Sequence, residues 1–411
     1  MTDAATAEFI NRFANANVRD LALKAGRFRD VDISFALEQI AGRQAARAKL
    51  PSWAAVEGVL YPPHISMEQC SSEQTARYKG TLAVRLCRNI KVLNERKGCF
   101  IDLTGGFGVD FVFIAEALKN SNVFDDFRAC YVERQQLLCN VAKHNFNLLG
   151  QTYVDVRCGD AATFLREMSA ASIVYLDPAR RDRQGKKTYA IEDCTPNVLQ
   201  MKEELITKVE CAMIKLSPML DWHKAVTDLK HVSEVHIVSV NNECKELLLV
   251  LQHVVRDDIR VFCVNDREVF DSLDRADGEN DVPVLSGSLA EGMLLYEPNA
   301  SVMKAGCFTQ LCQVYKLKAV AQNSHLFVSV DKLNKFPGRS FRILSVSSMN
   351  KKDLRQFLSG ISQANIAVRN FPMSVADLRK RLKLKDGGEI YIFATTDAAG
   401  NHLLLISQKA D

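Results

Sequence analysis

Residues 102–110 read DLTGGFGVD, directly after the apolar run CFI and directly before an amphipathic stretch. Gly105, Gly106 and Gly108 allow the backbone to turn sharply and to approach a ligand closely. The first amides of the helix that follows, together with its dipole, favour a bound carboxylate or phosphate. The dinucleotide fingerprint G-x-G-x-x-G lacks its third glycine, because Val109-Asp110-Phe111 follows Gly108. The segment therefore predicts a strand, a ligand-binding turn and a helix.

The chain on either side of this turn repeats the same alternation. From Cys99 onward, short apolar runs are separated by amphipathic helical stretches. Continuous apolar strands separated by such helices are typical of a parallel sheet covered on both faces, with right-handed crossovers. We therefore predict a doubly wound α/β domain. The predicted strands are CFIDL, ACYVE, YVDVRCG, SIVYLD, CAMIKLS, EVHIVSV and ELLLVLQ.

Acidic residues stand where several of these strands end. Glu133 ends the second strand, Asp160 follows the third, and Asp177-Pro178 follows the fourth. Ligands of open α/β sheets bind at the carboxyl ends of the strands, and a carboxylate there can accept from both ribose hydroxyls or from an adenine amine. Each acid alone is as well explained by a surface turn. The ordered set, together with Asp102, predicts a nucleoside-binding site.

These successive motifs resemble those of the class I S-adenosylmethionine-dependent methyltransferases over residues 98–255. The resemblance implies a Rossmann-like, seven-stranded sheet with a reversed last strand, and S-adenosyl-L-methionine as cofactor. It also implies that the glycine loop holds the methionine part, Glu133 the ribose and Asp160 the adenine amine. Asp177 and Pro178 would be catalytic, beside the transferable methyl group. The cofactor-binding set is Asp102, Thr104, Gly105, Gly106, Phe107, Gly108, Glu133 and Asp160.

The fourth motif departs from the family pattern. Many nucleic-acid amino-methyltransferases have Asn/Asp-Pro-Pro followed by an aromatic residue, whereas this chain has Asp177-Pro178-Ala179-Arg180 and so lacks that stacking platform for a base. Covalent methylation of a pyrimidine carbon normally needs a cysteine nucleophile, and none stands at the end of the fourth strand or beside Ser217-Pro218. We therefore expect methylation at nitrogen, with oxygen as an open alternative.

The C-terminal sequence has a narrower resemblance. LLYEPNASVMKAG, NFPMSVADLRKRLKLKDGGEIYIFATT and, before the glycine turn, EQCSSEQTARYKG are similar to bacterial methyltransferase-like proteins that end in a THUMP-like domain. Because THUMP domains bind RNA, this resemblance implies an RNA substrate, tRNA or rRNA. Residues 290–411 carry 17 Lys and Arg against 9 Asp and Glu, a net charge of +8, whereas the rest of the chain carries 36 against 40. That asymmetry is typical either of a module that faces a polyanion or of a solvated surface.

A run of cations directly after Asp177 is the candidate substrate contact. The sequence RRDRQGKK, residues 180–187, carries five cations and one acid. Beside a methyl-transfer site these side chains would neutralise substrate phosphates, and the alternative is a solvated loop. The predicted substrate-binding residues are Arg180, Arg181, Arg183, Lys186 and Lys187. The basic run at residues 379–385 alternates cations with leucines, which is typical either of a helix end that contacts phosphates or of an amphipathic helix with a basic outer face.

Length and composition set the remaining expectations. The chain has 411 residues, 47% hydrophobic and 25% charged, which is typical of two or three globular domains and excludes a disordered chain. Without a long apolar run or a signal-peptide pattern, we expect a cytoplasmic protein with no membrane contact. Twelve cysteines lack C-x-x-C spacing, so we expect buried thiols and no metal. The oligomeric state stays open.

The predicted domains have the following limits. Residues 1–97 form a helical region, 98–270 the methyltransferase domain, 271–292 a linker, 293–336 a small α+β (ferredoxin-like) subdomain, and 337–411 a THUMP-like α+β domain. Two rival functions remain open from the sequence. One is a methyltransferase that acts on a small molecule or a protein, and the other is a non-catalytic S-adenosylmethionine- or RNA-binding protein.

Overall fold

The computed structural model describes residues 3–89, 97–179, 191–255, 258–275 and 281–410. The chain forms two compact units. The first unit comprises Met1–Ser233 and Leu247–Arg256, and the second comprises Glu234–Glu246 and Asp257–Asp411. The divisions at 233/234 and at 246/247 each fall within a strand.

The helices are α1 (Ala4–Arg12), α2 (Val18–Leu23), α3 (Ile33–Lys49), α4 (Pro51–Ala54), α5 (His64–Gln69), α6 (Glu73–Asn89), α7 (Val109–Asn120), α8 (Gln136–Leu148), α9 (Ala161–Glu167), α10 (Val198–Lys208), α11 (Trp222–Leu229), α12 (Ala300–Ala305), α13 (Phe308–Tyr315), α14 (Lys351–Phe357) and α15 (Val375–Leu382). Short 3-10 turns occupy Ala25–Arg27 and Ile191–Asp193.

The strands are β1 (Lys97–Asp102), β2 (Asp126–Glu133), β3 (Val154–Cys158), β4 (Ala171–Leu176), β5 (Val209–Leu216), β6 (Val232–Val240), β7 (Glu243–Gln252), β8 (Asp258–Asn265), β9 (Glu268–Arg275), β10 (Leu294–Pro298), β11 (Lys318–Ala319), β12 (Phe327–Ser329), β13 (Gly338–Ser348), β14 (Asn365–Arg369), β15 (Ile390–Thr396) and β16 (His402–Lys409).

The N-terminal region is helical, as predicted. Helix α2 starts at Val18, where the Asn17 side chain accepts hydrogen bonds from the amides of Arg19 and Asp20. Ser72 caps α6 in the same way, accepting from the Thr75 amide at 3.3 Å. Polar caps thus help to divide the region into separate helices of 4 to 17 residues.

The sheet of the first unit has the order β3-β2-β1-β4-β5-β7. Strands β1 to β5 pair in parallel, with Phe100 of β1 opposite Ala129 of β2 and Ile173 of β4. Strand β7 runs antiparallel to β5. Every residue of β4 is buried, as expected for a strand covered on both faces. The doubly wound α/β fold with a reversed strand is confirmed.

The second unit contains two groups of strands. Strand β6 pairs in parallel with β8, which pairs antiparallel with β9. A seven-stranded sheet follows, in the order β11-β12-β10-β13-β16-β15-β14. Because β9 continues to Arg275, the first residues of the predicted linker, 271–275, form a strand instead. The α+β character of the C-terminal part is confirmed, whereas the limits of the five predicted segments stay a prediction.

Within the described residues, none of the helices is both long and apolar enough to cross a lipid bilayer. The same residues contain no group of three His, Cys, Asp or Glu side chains that could hold a metal ion.

Candidate active site

The glycine loop between β1 and α7 lies against an aromatic side chain of the neighbouring strand. The Gly105 amide donates to the Val132 carbonyl at 2.9 Å, which draws the loop toward β2. A Cβ atom on Gly105 would lie 2.1 Å from the Tyr131 ring. Gly108 has a φ of +86°, and a Cβ there would meet Phe146 at 2.8 Å. The packing therefore requires glycine at both positions.

Asp102 and Thr104 join the loop to the end of β4. Asp102 Oδ1 accepts from the Thr104 amide at 2.9 Å. The Thr104 hydroxyl in turn accepts from the Asp177 amide at 2.6 Å. These two bonds bring the first and fourth sequence motifs together, as the strand-end argument predicted.

Glu133 joins the loop to the end of β2. Its two carboxylate oxygens accept from the Gly106 amide at 3.0 Å and from the Gln135 amide at 2.8 Å. The Tyr131 hydroxyl donates to the Gly106 carbonyl at 2.5 Å, so both backbone polar groups of Gly106 are held by side chains of β2. A carboxylate offers about four lone-pair positions. The two bonds therefore leave room on Glu133 for the hydroxyl donors of a ligand.

The acids of this edge lie close enough to act on one another electrostatically. Asp102 is 1% exposed, and its burial raises the pKa of its carboxyl well above the usual value. The negative charges of Asp110, Asp177 and Glu133 raise this pKa further. An edge with this surplus of negative charge favours a cationic ligand, and a sulfonium is such a cation.

Asp160 and Phe107 have other partners in the structure. Asp160 is exposed and caps α9, accepting from the Thr163 amide at 2.9 Å. Phe107 is buried, and its ring packs edge-on against Trp53 with 5.0 Å between the ring centroids. The Phe107 side chain therefore anchors the loop on the N-terminal helical region.

The segment after β4 begins with a half-buried carboxylate. Asp177 is 35% exposed, and its Oδ2 accepts from Lys215 Nζ at 2.5 Å. Pro178 is buried, and Ala179 exchanges two backbone hydrogen bonds with Thr195, at 2.8 and 2.9 Å. The predicted substrate-binding residues lie outside the described residues. These are Arg180, Arg181, Arg183, Lys186 and Lys187.

A buried ionic network behind this site was not predicted from the sequence. Asp110, at the start of α7, accepts from the Ser71 hydroxyl at 2.8 Å and from the Tyr175 hydroxyl at 2.7 Å. Lys79 Nζ of α6 lies 3.1 Å from Asp110 Oδ1, and Lys215 Nζ of β5 lies 4.0 Å from Oδ2.

The pKa of the aspartate in this network is lowered, whereas the pKa of Asp102 is raised. Burial acts to raise the pKa of Asp110, but the ammonium groups of Lys79 and Lys215 and the two hydroxyl donors outweigh it, so its pKa lies below the usual value. The sequence signal was a lysine inside the otherwise apolar run CAMIKL of β5. A buried lysine there needs an acidic partner, which the sequence alone does not identify.

Comparison with known proteins agrees with this geometry. Residues 294–337 match the model of a ferredoxin-like domain, and residues 338–409 match the model of a THUMP domain-like family. A candidate methyltransferase from Porphyromonas gingivalis W83 is 29% identical in sequence and has a TM-score of 0.83, with 99% of this chain and 98% of that chain covered. The chain has the fold of a class I methyltransferase and carries a THUMP-like domain. The resemblance read from the motifs is thereby confirmed.

Other solved structures resemble parts of the methyltransferase. A candidate class I S-adenosylmethionine-dependent methyltransferase from Listeria monocytogenes is 10% identical, with a TM-score of 0.34, 61% of this chain covered and 88% of that one. A human methyltransferase 10 domain containing protein is 12% identical, with a TM-score of 0.37 and coverages of 53% and 96%. No curated protein matches the sequence.

The site fits S-adenosyl-L-methionine, the cofactor that the sequence motifs predict. The backbone cradle at Gly105 and Gly108 has no space for a Cβ atom. Glu133 has acceptor positions left for ribose hydroxyls, and the carboxyl groups of Asp102, Asp177 and Glu133 lie close enough together to favour the cationic methionine part. The cofactor, when bound, supplies an electrophilic methyl group on a sulfonium.

Proposed function

We propose that the methyltransferase acts on RNA, tRNA or rRNA, and methylates a nitrogen atom. The observation that carries this proposal is the position of Asp177. Its backbone amide is held by Thr104 of the glycine loop, so its carboxylate stands at the end of β4 beside the cofactor-binding turn. A carboxylate at that position can accept a hydrogen from an amine and direct the nitrogen lone pair toward the methyl group.

Asp177 is better suited to this role than the backbone carbonyls that follow it. The Ala179 carbonyl already accepts from the Thr195 amide at 2.9 Å. Asp177 uses Oδ2 for Lys215, which leaves Oδ1 to face a substrate. The reaction needs the attacking nitrogen on the axis of the breaking carbon–sulfur bond, and such alignment contributes up to ~7–11 kcal/mol in well-oriented cases. Orientation by Asp177 and by the buried Pro178 is therefore the main catalytic task that we assign.

The C-terminal cations support RNA as the substrate class. Fourteen of the 17 Lys and Arg side chains of residues 290–411 are exposed and therefore available to phosphates. On α15, Leu378 is buried, whereas Lys380 and Arg381 are exposed. This arrangement is that of an amphipathic helix with a basic outer face. Neutralisation of phosphates by such a face gives binding that weakens as salt increases.

Three further assignments are part of the proposal. We place the functional division of the chain at the predicted limits, with a methyltransferase domain at residues 98–270 and an RNA-facing module from residue 293 onward. Residues 180–187 would contact substrate phosphates at the transfer site. The scattered cysteines support a reducing compartment, and we assign the methyltransferase to the cytoplasm.

Transfer of a tritiated methyl group tests the proposal. Extract from a strain that lacks the protein is incubated with purified enzyme and labelled S-adenosylmethionine, then divided into RNA, protein and small-molecule fractions. We expect label in RNA, and nucleoside mass analysis then identifies the methylated atom. Label only in protein or in small molecules would contradict the RNA assignment, and a carbon- or oxygen-methylated nucleoside would contradict the nitrogen assignment.

Two variants test the role of Asp177. Asp177→Asn keeps the shape of the side chain but removes the charged acceptor, and we expect kcat to fall by about 10²–10⁴, the usual contribution of a positioned acid or base. Asp193→Asn makes the same change at an exposed aspartate of the neighbouring 3-10 turn and should leave kcat unchanged. Equal rates in the two variants would reject Asp177 as the acceptor.

A further inference from the structure

We propose that Lys215 is a positioning residue for methyl transfer, which holds the Asp177 carboxylate in the orientation that receives the nucleophile. This inference rests on the proposed function of Asp177. Lys215 Nζ lies 2.5 Å from Asp177 Oδ2, and the lysine is only 12% exposed. Its charge is thus directed at one oxygen of the candidate acceptor and is largely removed from solvent.

The buried ionic network around Asp110 holds Lys215 in place. Asp110 Oδ2 lies 4.0 Å from Lys215 Nζ, so the ammonium stands between two carboxylates. Asp110 is held in turn by Ser71 and Tyr175, whose hydroxyls donate to it, and by the fully buried Lys79. A charge so closely bounded has few alternative positions, and a buried pair of this kind fixes geometry more surely than it adds stability.

Two contacts then determine where the free oxygen of Asp177 points. The backbone amide of Asp177 is held by Thr104, and Oδ2 is held by Lys215. With both ends of the residue fixed, Oδ1 has one direction left, which we take to be that of the incoming amine. Without Lys215, the side chain would rotate away from the nearby negative charges of Asp102 and Asp110. Misplacement by about 1 Å is enough to cost about 100-fold in rate.

The same contacts give the N-terminal helical region a part in the site. Lys79 belongs to α6, and Ser71 lies two residues before the start of that helix. Both reach Asp110, which faces Lys215 and through it Asp177. The chain of contacts therefore runs from the N-terminal region to the acceptor carboxylate, so this region supports the transfer site as well as the glycine loop.

A double-mutant cycle on the full-length protein tests the inference. The variants are Lys215→Met, Asp177→Asn and the double variant, assayed with tritiated S-adenosylmethionine and the extract fraction that the wild type labels. We expect Lys215→Met to lower kcat by about 100-fold with an unchanged Kd for S-adenosylmethionine. Because Lys215 acts through Asp177, the double variant should be no slower than Asp177→Asn alone.

Two matched variants separate positioning from folding. Lys215→Gln keeps a hydrogen-bond donor for Asp177 and should retain more activity than Lys215→Met, which also makes the test possible if the methionine variant does not fold. Lys224→Met removes an exposed lysine that pairs with Asp228 and should leave kcat unchanged. Losses that add in the double variant, or a kcat that Lys215→Met leaves at the wild-type value, would overturn the inference.

A failure of the proposed function can be distinguished from a failure of the inference about Lys215. If the wild type labels protein or small molecules instead of RNA, the substrate proposal fails, and the same cycle on that acceptor still decides the role of Lys215. If no fraction accepts the methyl group although the cofactor binds, both proposals are overturned.

Discussion

The substitution Asp102→Asn should stabilise the free methyltransferase and weaken its binding to the cofactor. Burial raises the pKa of Asp102 well above its usual value, and the charges of Asp110, Asp177 and Glu133 raise it further. The ionised carboxylate is therefore unfavourable in the folded protein until a cation binds. Asparagine has the same shape and can still accept the hydrogen bond from the Thr104 amide, which lies 2.9 Å from Asp102 Oδ1.

The expected magnitude follows from the cost of a buried polar group that lacks full compensation. That cost is about 1–3 kcal/mol, so the apo variant should gain a stability of that order. For a folded unit of this size, each kcal/mol shifts the thermal midpoint by about 2–4 °C. A charged hydrogen bond to the cofactor contributes about 1.5–3 kcal/mol, so its loss should weaken binding by roughly 10- to 100-fold.

The pH dependence has a definite sign. Because the pKa of Asp102 is raised on folding, the folded protein binds this proton more tightly than the unfolded chain does. The stability of the wild type should therefore fall as the pH rises from about 3.9, the usual carboxyl pKa, through the raised folded value. Asparagine does not titrate, so the stability advantage of the variant should be absent at the acid end of this window and should grow as the pH rises.

Differential scanning calorimetry and isothermal titration with S-adenosylmethionine measure the two effects. Asp221→Asn is the matched control, because Asp221 is an exposed cap of α11 and asparagine caps a helix equally well. This control should change neither the thermal midpoint nor the affinity. An Asp102→Asn variant that is less stable than the wild type at neutral pH, or that binds the cofactor equally well, would refute the reasoning.

Three further predictions follow from the same contacts. Gly105→Ala should abolish cofactor binding in a calorimetric titration, because its Cβ would lie 2.1 Å from the Tyr131 ring, whereas Gly26→Ala, with open space around it, should bind normally. Lys79→Met should lower the free energy of unfolding in urea by about 3–5 kcal/mol, since it leaves the Asp110 carboxylate buried without its nearest cation. A smaller loss would mean that solvent or Lys215 compensates. Replacing four exposed cations of the C-terminal module with glutamine should flatten the salt dependence of RNA binding by up to ~3 in the log–log slope, and an unchanged slope would exclude this face as the RNA contact. The four are Lys380, Arg381, Lys383 and Lys385.

The strand order and the glycine loop were predictable because their signals are local. The run CFI, the glycines that follow and the acid at the end of each strand are each visible within about ten residues. The reaction edge follows from a general rule, since parallel strands of one sheet bring their carboxyl ends together. Asp102, Glu133 and Asp177 could therefore be placed together before any coordinates were known.

The buried ionic network of Lys79, Asp110 and Lys215 was not predictable, because it depends on contacts between segments that are far apart in the sequence. Lys79 and Asp110 are 31 positions apart, and Lys215 is 105 positions beyond Asp110. A lysine on a helix usually faces solvent, so only the packing of α6 against α7 shows that Lys79 is fully buried. The packing of Phe107 depends on such contacts too, since only the structure shows that its ring lies against Trp53.

The charges around Asp177, on the side that accepts the substrate, differ from those around Asp102, on the side that binds the cofactor. Lys79 and Lys215 compensate Asp110 and Asp177, so the acceptor side is already neutralised in the free protein and can hold its geometry. Asp102 has the opposite environment, in which three neighbouring acids add to the effect of burial.

A ligand that brings a positive charge relieves this repulsion, and methyl transfer removes the charge on sulfur while the amine of the methionine part remains. The product should therefore bind less tightly than S-adenosylmethionine, and the difference should shrink when Asp102 is replaced by asparagine. Equal ratios of the two Kd values in wild type and variant would show that the edge recognises the shape of the cofactor rather than its charge.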